Sequence, residues 1–340
     1  MKNLTNIILI IVILFIAGLF YWALFVPKEE VTRKIYETLK EQEKRADLSF
    51  KNVTFEEVSS GVKYWQLSAQ TAMINKDQGI ASLKQVDGTF FKKGKASLKF
   101  ISPAARWNMK TKEILLDQPF GYDIALKNQV PLLMRSAKKN LTSVFNLPKS
   151  YQKQPGYWFQ AKNLSWKMAD EKIICRGGII LNKAEVSGYA DKLSGDVALE
   201  KVALEGKPYI IIRPDNSSPI TVEAEAFEVV SLNDTFLAKG HPRIIWETAI
   251  INADEVKYLQ TARRLDLTGN VNLNYNDIRA AGDSSSYFTF LQQVLLRGKA
   301  WAEQGNNRLS GDKIIVRLKD RKISLSGKSK VVITEEELKK

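Results

Sequence analysis

From Phe50 onward, apolar and polar residues alternate along short segments, which is the pattern of β-strands that bury one face. Residues 62–67 and 207–212 are clear examples, rich in β-branched and aromatic side chains. Turns containing Gly, Asn, Asp and Lys separate these segments. The pattern predicts that nearly all of the chain beyond residue 50 is built from β-strands.

The N-terminal pattern is different, because residues 7–26 form an apolar run of twenty residues without a charge. As a helix this run would be about 30 Å long, the thickness of the hydrocarbon layer of a bilayer. No small-x-small cleavage site follows it, and Tyr21 and Trp22 suit a membrane interface. The sequence therefore predicts an uncleaved transmembrane anchor at residues 1–27.

The segment after the anchor predicts a short amphipathic helix, a stalk at residues 28–48. Val31, Ile35 and Leu39 recur at four-residue spacing among charged residues, without Gly or Pro between them. More lysine and arginine residues follow the apolar run than precede it, so their count alone would keep the C-terminal part in the cytoplasm. The orientation must therefore be argued from the fold.

An internal repeat is the strongest signal in the chain. A small residue followed by an acid recurs with a constant spacing of 29 residues, at Ala224-Glu225, Ala253-Asp254, Gly282-Asp283 and Gly311-Asp312. Fifteen residues after each acid stands a glycine, at Gly240, Gly269, Gly298 and Gly327. A 29-residue unit with two alternating segments predicts two strands and two turns, stacked on neighbouring units as two facing sheets. The small residue suits a crowded corner, and the acid can accept backbone N–H groups at a turn.

Two segments interrupt the strand pattern. Residues 129–157 contain three prolines and predict an inserted connection, with a short helix at Leu132–Val144. Residues 213–219 are rich in Pro, Asn and Ser, which makes them the best candidate boundary between an irregular first half and a repeating second half.

Composition narrows the possible functions. The net charge of +14 suits a surface that faces phosphates, but no nucleic-acid motif accompanies it, so we expect no nucleic-acid partner. The single cysteine, Cys175, excludes an internal disulfide and a cysteine-based metal site. The single histidine, His241, stands in a turn-like sequence without a Gly-x-Ser-x-Gly motif elsewhere. We therefore expect no catalytic site, no metal and no cofactor.

Several motifs resemble a known family. The segments KYWQLSAQTA at residues 63–72, GIASL at 79–83 and VDGTFF at 86–91 resemble the LptC family. The later repeats, such as LDLTGNV at residues 265–271, are similar to LptA of the same lipopolysaccharide-export system. The resemblance divides the chain into an LptC-like β-jellyroll at 49–218 and an LptA-like β-jellyroll at 219–340. The insertion at 129–157 and the fusion of two halves depart from the usual short LptC plan.

The resemblance implies an elongated β-jellyroll, open along one side, that lies in the periplasm and passes lipopolysaccharide towards the outer membrane. Its implied partners are lipopolysaccharide, the inner-membrane ABC transporter of the Lpt system, and an LptA-like or outer-membrane LptD-like jellyroll. The last strand, predicted at Lys330–Thr334, is an edge that could pair with such a jellyroll.

The residues expected to line a lipid groove follow from the repeat register and from strand alternation. They are Trp65, Leu67, Ala69, Leu83, Ile251, Ala253, Val256, Tyr258, Leu265, Leu267, Tyr287, Leu296, Ile314, Val316, Ile323 and Leu325.

Three alternatives stay open at the level of sequence. The inward residues could form a closed core without ligand, or the chain could be a structural or adhesive β-solenoid. A polysaccharide-processing β-helix enzyme would need acids clustered on one sheet face, whereas the acids here recur once per repeat at turns, which argues against it.

Overall fold

The computed structural model describes residues 47–124, 156–214 and 217–332. The predicted anchor, nearly all of the predicted stalk and most of the inserted connection lie outside these ranges. Within them, no helix has both the length and the apolar character needed to span a bilayer.

The described residues form 23 strands, all of whose pairings are antiparallel. The first eight are β1 (Leu48–Ser59), β2 (Val62–Asn75), β3 (Ile80–Lys92), β4 (Lys95–Asn108), β5 (Glu113–Asp117), β6 (Phe120–Tyr122), β7 (Tyr157–Gln160) and β8 (Asn163–Lys167). The next eight are β9 (Lys172–Lys183), β10 (Val186–Asp196), β11 (Lys201–Glu205), β12 (Tyr209–Ile212), β13 (Ile220–Glu223), β14 (Ala226–Val230), β15 (Thr235–Lys239) and β16 (Arg243–Trp246). The last seven are β17 (Ala249–Asn252), β18 (Glu255–Leu259), β19 (Arg264–Tyr275), β20 (Ile278–Phe288), β21 (Gln293–Gln304), β22 (Asn307–Arg317) and β23 (Lys322–Val332). The predicted all-β, antiparallel class is confirmed for these residues.

Long and short strands combine into two facing sheets. Four of the long strands pair over their two halves with different neighbours: β4 with β5 and β6, β9 with β8 and β7, β10 with β11 and β12, and β19 with β18 and β17. A long strand therefore crosses both sheets, and two short strands replace one long strand. We call the sheet that contains β5, β8, β11, β14, β15 and β18 the first sheet. The second sheet contains β6, β7, β12, β13, β16 and β17.

The long strands of the second half bend along one line, which we call the fold line. The register shifts there, between Thr268 and Val271 on β19 and between Arg297 and Ala300 on β21. Such irregularities bend a strand, so they let a single strand serve two sheets.

The acid and the glycine of the repeat meet at the fold line. Gly269 has φ of +76°, and a Cβ on it would lie 2.2 Å from Oδ2 of Asp254. Gly298 and Gly327 have the same relation to Asp283 and Asp312, at 2.6 and 2.9 Å. The 29-residue register therefore marks equivalent positions on successive strand pairs, as the sequence predicts. Glycine recurs at this position because only a residue without a Cβ leaves room for the acid.

The expected hydrogen bond of the acid is also present at the last repeat. Oδ2 of Asp312 accepts the backbone N–H of Lys328 at 3.1 Å. At the earlier repeat, Oδ2 of Asp254 accepts the side-chain amide of Asn270 at 2.9 Å. At the last repeat the acid thus satisfies a backbone N–H that the irregular register leaves without a strand partner.

Both sheets continue across the predicted boundary at 213–219. β12 pairs with β13, and β11 pairs with β14, so strands of the two predicted halves are hydrogen-bonded neighbours. The division into 49–218 and 219–340 stays a prediction.

Three predicted limits are wrong. Leu48, placed at the end of the stalk, begins β1 and lies opposite Ile74, and Tyr157, placed in the inserted connection, begins β7. The last strand, predicted to start at Lys330, starts at Lys322, because the pairing with β22 extends over both sheets.

We predict that Gly269→Ala destabilises the protein more than Gly94→Ala does. Both glycines have nearly the same φ, +76° and +75°, which costs any alanine about 1–2 kcal/mol. A Cβ at Gly94 meets nothing within 4 Å, whereas one at Gly269 collides with Asp254 and should add about 1–3 kcal/mol. Urea unfolding of the two variants measures this difference. Equal losses of stability would contradict the proposed packing at the fold line.

Candidate functional site

The sixteen predicted groove residues share one continuous apolar interior between the two sheets. Fourteen of them are at most 4% exposed. The other two, Ile323 and Leu325 on β23, are partly buried and pack against the same cluster. They are less covered because, in the described residues, β23 has a strand on one side only. Whether any of these residues contacts lipid stays a prediction.

Sequence reasoning missed large side chains that fill the interior of the first half. Phe90, Phe100, Phe159 and Trp166 are all fully buried. The rings of Phe90 and Phe100 lie 4.8 Å apart, and those of Phe90 and Trp166 lie 5.4 Å apart. Alternation along β3 and β4 is the signal that could have identified the first two. The 29-residue register could not identify these residues, because the first half does not repeat regularly.

Opposite the fold line, the turns of the two sheets form two rows that face each other. The first-sheet row holds residues 76–79, 109–112, 168–171, 197–200, 231–234, 260–263, 289–292 and 318–321. The second-sheet row holds residues 60–61, 93–94, 184–185, 213–214, 217–219, 247–248, 276–277 and 305–306. We call the space between these rows the mouth. It is the side on which a ligand can reach the interior without parting hydrogen-bonded strands.

Charged side chains bridge the mouth at three places, the first of which is the ion pair of Lys112, in the first-sheet row, with Glu57 on β1 in the second sheet. Nζ of Lys92, in the second sheet, lies 3.0 Å from Asp196 and 2.7 Å from Glu200 of the first sheet. Nζ of Lys183, also in the second sheet, lies 2.6 Å from Asp234 of the first sheet. These pairs are partly exposed to solvent, so each stabilises the contact between the two sheets by only about 0–1 kcal/mol.

Neutral donors bridge the mouth further along. Glu185, in the second-sheet row, accepts a hydrogen bond from the hydroxyl of Tyr258 at 3.0 Å and from Nε2 of Gln260 at 2.9 Å. Nε2 of Gln292 donates to Oγ of Ser217 at 3.0 Å. Polar contacts between the two rows therefore recur along the mouth from the first half into the second.

Two cavities lie in the mouth. One, of about 260 Å³, is lined by Val62, Tyr64, Phe91, Trp166 and Val197, with Lys93 and Glu171 at its polar side. The other, of about 230 Å³, has Ala184, Glu185, Arg213, Tyr258, Arg263 and Thr289 among its lining residues. Each draws side chains from both sheets. The first is mainly apolar, whereas polar and apolar groups share the lining of the second about equally.

Burial shifts the pKa values of two ionisable groups around the second cavity. Burial raises the pKa of the Tyr258 hydroxyl, and the nearby charge of Glu185 raises it further. Burial also lowers the pKa of the Arg213 guanidinium. Tyr258 therefore stays a neutral donor to Glu185, while Arg213 holds its charge in a poorly solvated place.

The remaining candidate chemistry is limited. Cys175 is fully buried, and burial raises the pKa of its thiol, which makes it a poor nucleophile. His241 lies in an exposed turn, 3.7 Å from Asp254. No cluster of three potential metal ligands occurs among residues 47–124, 156–214 and 217–332. An apolar interior with a polar mouth suits an amphiphilic ligand.

Comparisons with known proteins match two separate parts of the chain. Residues 9–119 match the family model described as lipopolysaccharide-assembly, LptC-related. Residues 221–322 match the model described as LptA/(LptD N-terminal domain) LPS transport protein. No curated protein matches the chain significantly.

Among solved structures, the chain is similar to LptH from Pseudomonas aeruginosa, described as the LptA homologous periplasmic component of the conserved lipopolysaccharide transport device. The two sequences are 18% identical, and the match covers 36% of this chain and 99% of the LptH chain with a TM-score of 0.32.

We predict that stability falls as the pH rises above about 10, and that Tyr258→Phe reduces this fall. The unfolded tyrosine loses its proton near pH 10, whereas the folded one keeps it to higher pH. The neutral Tyr258 hydroxyl therefore makes its full contribution to the free energy of unfolding below pH 10. Above pH 10 this contribution falls by up to about 1.4 kcal/mol per pH unit. Tyr157 and Tyr287, whose pKa burial also raises, should keep part of the effect in the variant. Urea unfolding between pH 8 and pH 11 measures the slope, and identical slopes in both proteins would contradict this assignment.

Proposed function

We propose that this chain, LptC-related over residues 9–119 and similar to the LptA/LptD N-terminal domain over residues 221–322, carries lipopolysaccharide between its two sheets. One observation carries the proposal: a single apolar cluster runs from Trp65 to Leu318, through the described residues of both matched parts. A lipid that enters at one end can therefore stay in apolar surroundings along the whole of the described sheets.

The energetics favour acyl chains in such an interior. At about 0.8 kcal/mol per buried CH₂, a twelve-carbon chain gains roughly 9 kcal/mol on leaving water. The contacts that close the mouth are partly exposed ion pairs and single hydrogen bonds, each contributing about 0–1.5 kcal/mol. Acyl burial can therefore offset the opening of several such contacts. Side chains now fill the interior, so the lipid must displace them into new rotamers as the sheets part.

The anchor and the periplasmic location belong to the same proposal. Residues 7–26 would hold the chain in the inner membrane, next to the ABC transporter of the Lpt system that supplies both the lipid and the energy for its movement. The sheets would then extend from the membrane into the periplasm.

The last strand supplies a place for the next protein of the bridge. β23 pairs with β22 along one edge, and the described residues place no strand on its other edge. Val331 and Val332 on this strand are 50% and 47% exposed. An LptA-like or LptD-like jellyroll would extend both sheets by adding a strand here, and would continue the apolar interior.

A structural or adhesive β-solenoid without lipid cargo is the second candidate. The observation that favours it is the close filling of the interior, where fourteen of the sixteen candidate side chains are at most 4% exposed. It differs from the carrier in one measurable respect, since its interior never contacts lipid.

We predict that a photoreactive amino acid at Leu267 or Leu296 captures lipopolysaccharide in cells. Both leucines are at most 1% exposed and lie on β19 and β21, one repeat apart. The control is Asp266, whose carboxylate lies 2.7 Å from Arg264 on the outer side of β19 and should give no lipid adduct.

The two candidate functions give opposite results in this experiment. A sealed core would be overpacked by the probe at a cost of about 1–3 kcal/mol and would crosslink only to protein. A folded protein without lipid adducts at either leucine would therefore favour the structural solenoid.

We predict that a cysteine introduced by Lys319→Cys reacts with a membrane-impermeant maleimide once the outer membrane is permeable. Lys319 is exposed in the turn between β22 and β23, and Cys175 is buried, so only the new thiol should react. Labelling that requires permeabilisation of the inner membrane would place the sheets in the cytoplasm and contradict periplasmic transport.

A further inference from the structure

The second cavity in the mouth is lined by two arginines from opposite sheets. Arg213 follows β12 of the second sheet, and Arg263 lies in the turn that leads into β19 of the first sheet. Both line the cavity of about 230 Å³. Their chain separation of 50 residues hides this convergence at the level of sequence.

Arg213 is fixed in place by its neighbours. Its backbone N–H donates to the carbonyl of Glu185 at 3.0 Å, and its guanidinium donates to Oγ of Ser187 at 2.8 Å. Ser187 is 1% exposed and donates in turn to Oδ1 of Asn182 at 2.8 Å. This chain of contacts orients a half-buried cation at the cavity, in a place where an anionic ligand would interact more strongly than at a fully solvated site.

The backbone of Arg263 is fixed as well. Its N–H donates to the carbonyl of Gln260 at 3.0 Å, and its carbonyl accepts the hydroxyl of Thr289 at 2.9 Å. Arg263 therefore joins the lining of the cavity from a fixed position on the first sheet.

The acid in the same cavity has neutral donors on both oxygens. Glu185 accepts from Tyr258 and Gln260, as described above. Counting the two arginines and this acid, the lining has a net charge of +1. A phosphomonoester, with a charge of about −1.5 to −2 near neutral pH, would roughly neutralise it.

The inner wall of the cavity belongs to the apolar interior. Tyr258 is 2% exposed, is part of the core cluster, and has its ring centre 6.2 Å from that of Phe236. A ligand bound here would have its anionic group between the arginines and could place an apolar chain among the residues beneath Tyr258.

We propose that Arg213 and Arg263 form a phosphomonoester subsite in the mouth, which holds the phosphorylated headgroup of a lipid whose acyl chains occupy the interior. The subsite rests on the proposed function and adds to it a reason for selecting phosphorylated lipids. The bidentate geometry of guanidinium with phosphate explains why arginine, rather than lysine, stands at both positions.

The test uses the full chain in detergent with the photoreactive probe at Leu267, and compares hexa-acylated lipid A with and without its phosphates. The double variant Arg213→Gln/Arg263→Gln should capture phosphorylated lipid about tenfold less than the parent does, the effect of one or two lost charge-assisted hydrogen bonds. Capture of the dephosphorylated lipid should not change. The matched control Arg279→Gln, at an exposed position on β20, should leave both unchanged.

A variant that changes only Arg263 tests the subsite without altering the packing around the half-buried Arg213. Arg263→Gln, at an exposed turn, should lower capture of phosphorylated lipid about threefold, since it removes one of two contacts. Circular dichroism of each variant verifies that the sheets persist.

The outcomes separate the subsite from the carrier function. Equal capture of phosphorylated lipid by the parent and by both variants would overturn the subsite and leave lipid transport intact. Failure of the parent to capture either lipid would overturn the transport function itself. Binding of inorganic phosphate that the double variant loses, with lipid capture unchanged, would assign the pocket to free phosphate and also overturn the headgroup site.

Discussion

An acidic side chain packed over a glycine sets the relation between the two sheets of this protein. At the fold line, Asp254 stands over Gly269, and the same contact recurs at Asp283 with Gly298 and at Asp312 with Gly327. The contact requires a residue without Cβ at positive φ, and it accompanies the register shift that bends each long strand. Because it recurs every 29 residues, successive strand pairs bend at the same place. The sheets therefore stay in register along the second half, and their inward residues form one interior.

The energetic contrast between the fold line and the mouth follows from this arrangement. Along the fold line, the backbone is hydrogen-bonded and continuous, so separation there would break strands. Along the mouth, the contacts between the sheets in the described residues are made by side chains, such as Lys183 with Asp234 and Glu185 with Tyr258. Opening at the mouth therefore has a much smaller cost, and a lipid with several acyl chains can offset it. An apolar interior behind a polar, separable edge matches the two parts of an amphiphile.

The sequence predicted those features that the repeat makes periodic, and failed where the contacts are not local. Leu267 and Leu296 could be placed in the interior because alternation and the 29-residue register agree on them. Phe100 and Trp166 were missed, since no regular repeat relates the strands of the first half. The contacts at the mouth could not be predicted from the sequence, for a different reason. Glu185 and Tyr258 are 73 residues apart, and the curvature of both sheets determines which turns face each other. Leu48 was assigned to a helix because it follows a helical pattern, whereas strand pairing with Ile74 decides its structure.

The central claim is that the interior is a path for lipid and not only a core. The most direct measurement is mass spectrometry of the lipids that remain bound to the full chain after purification from its own membranes in mild detergent. A carrier should retain lipopolysaccharide in near-stoichiometric amounts, enriched over the phospholipids of the same membranes. Protein that is folded but free of lipopolysaccharide, or that carries only phospholipids in the proportions of the membrane, would contradict the account.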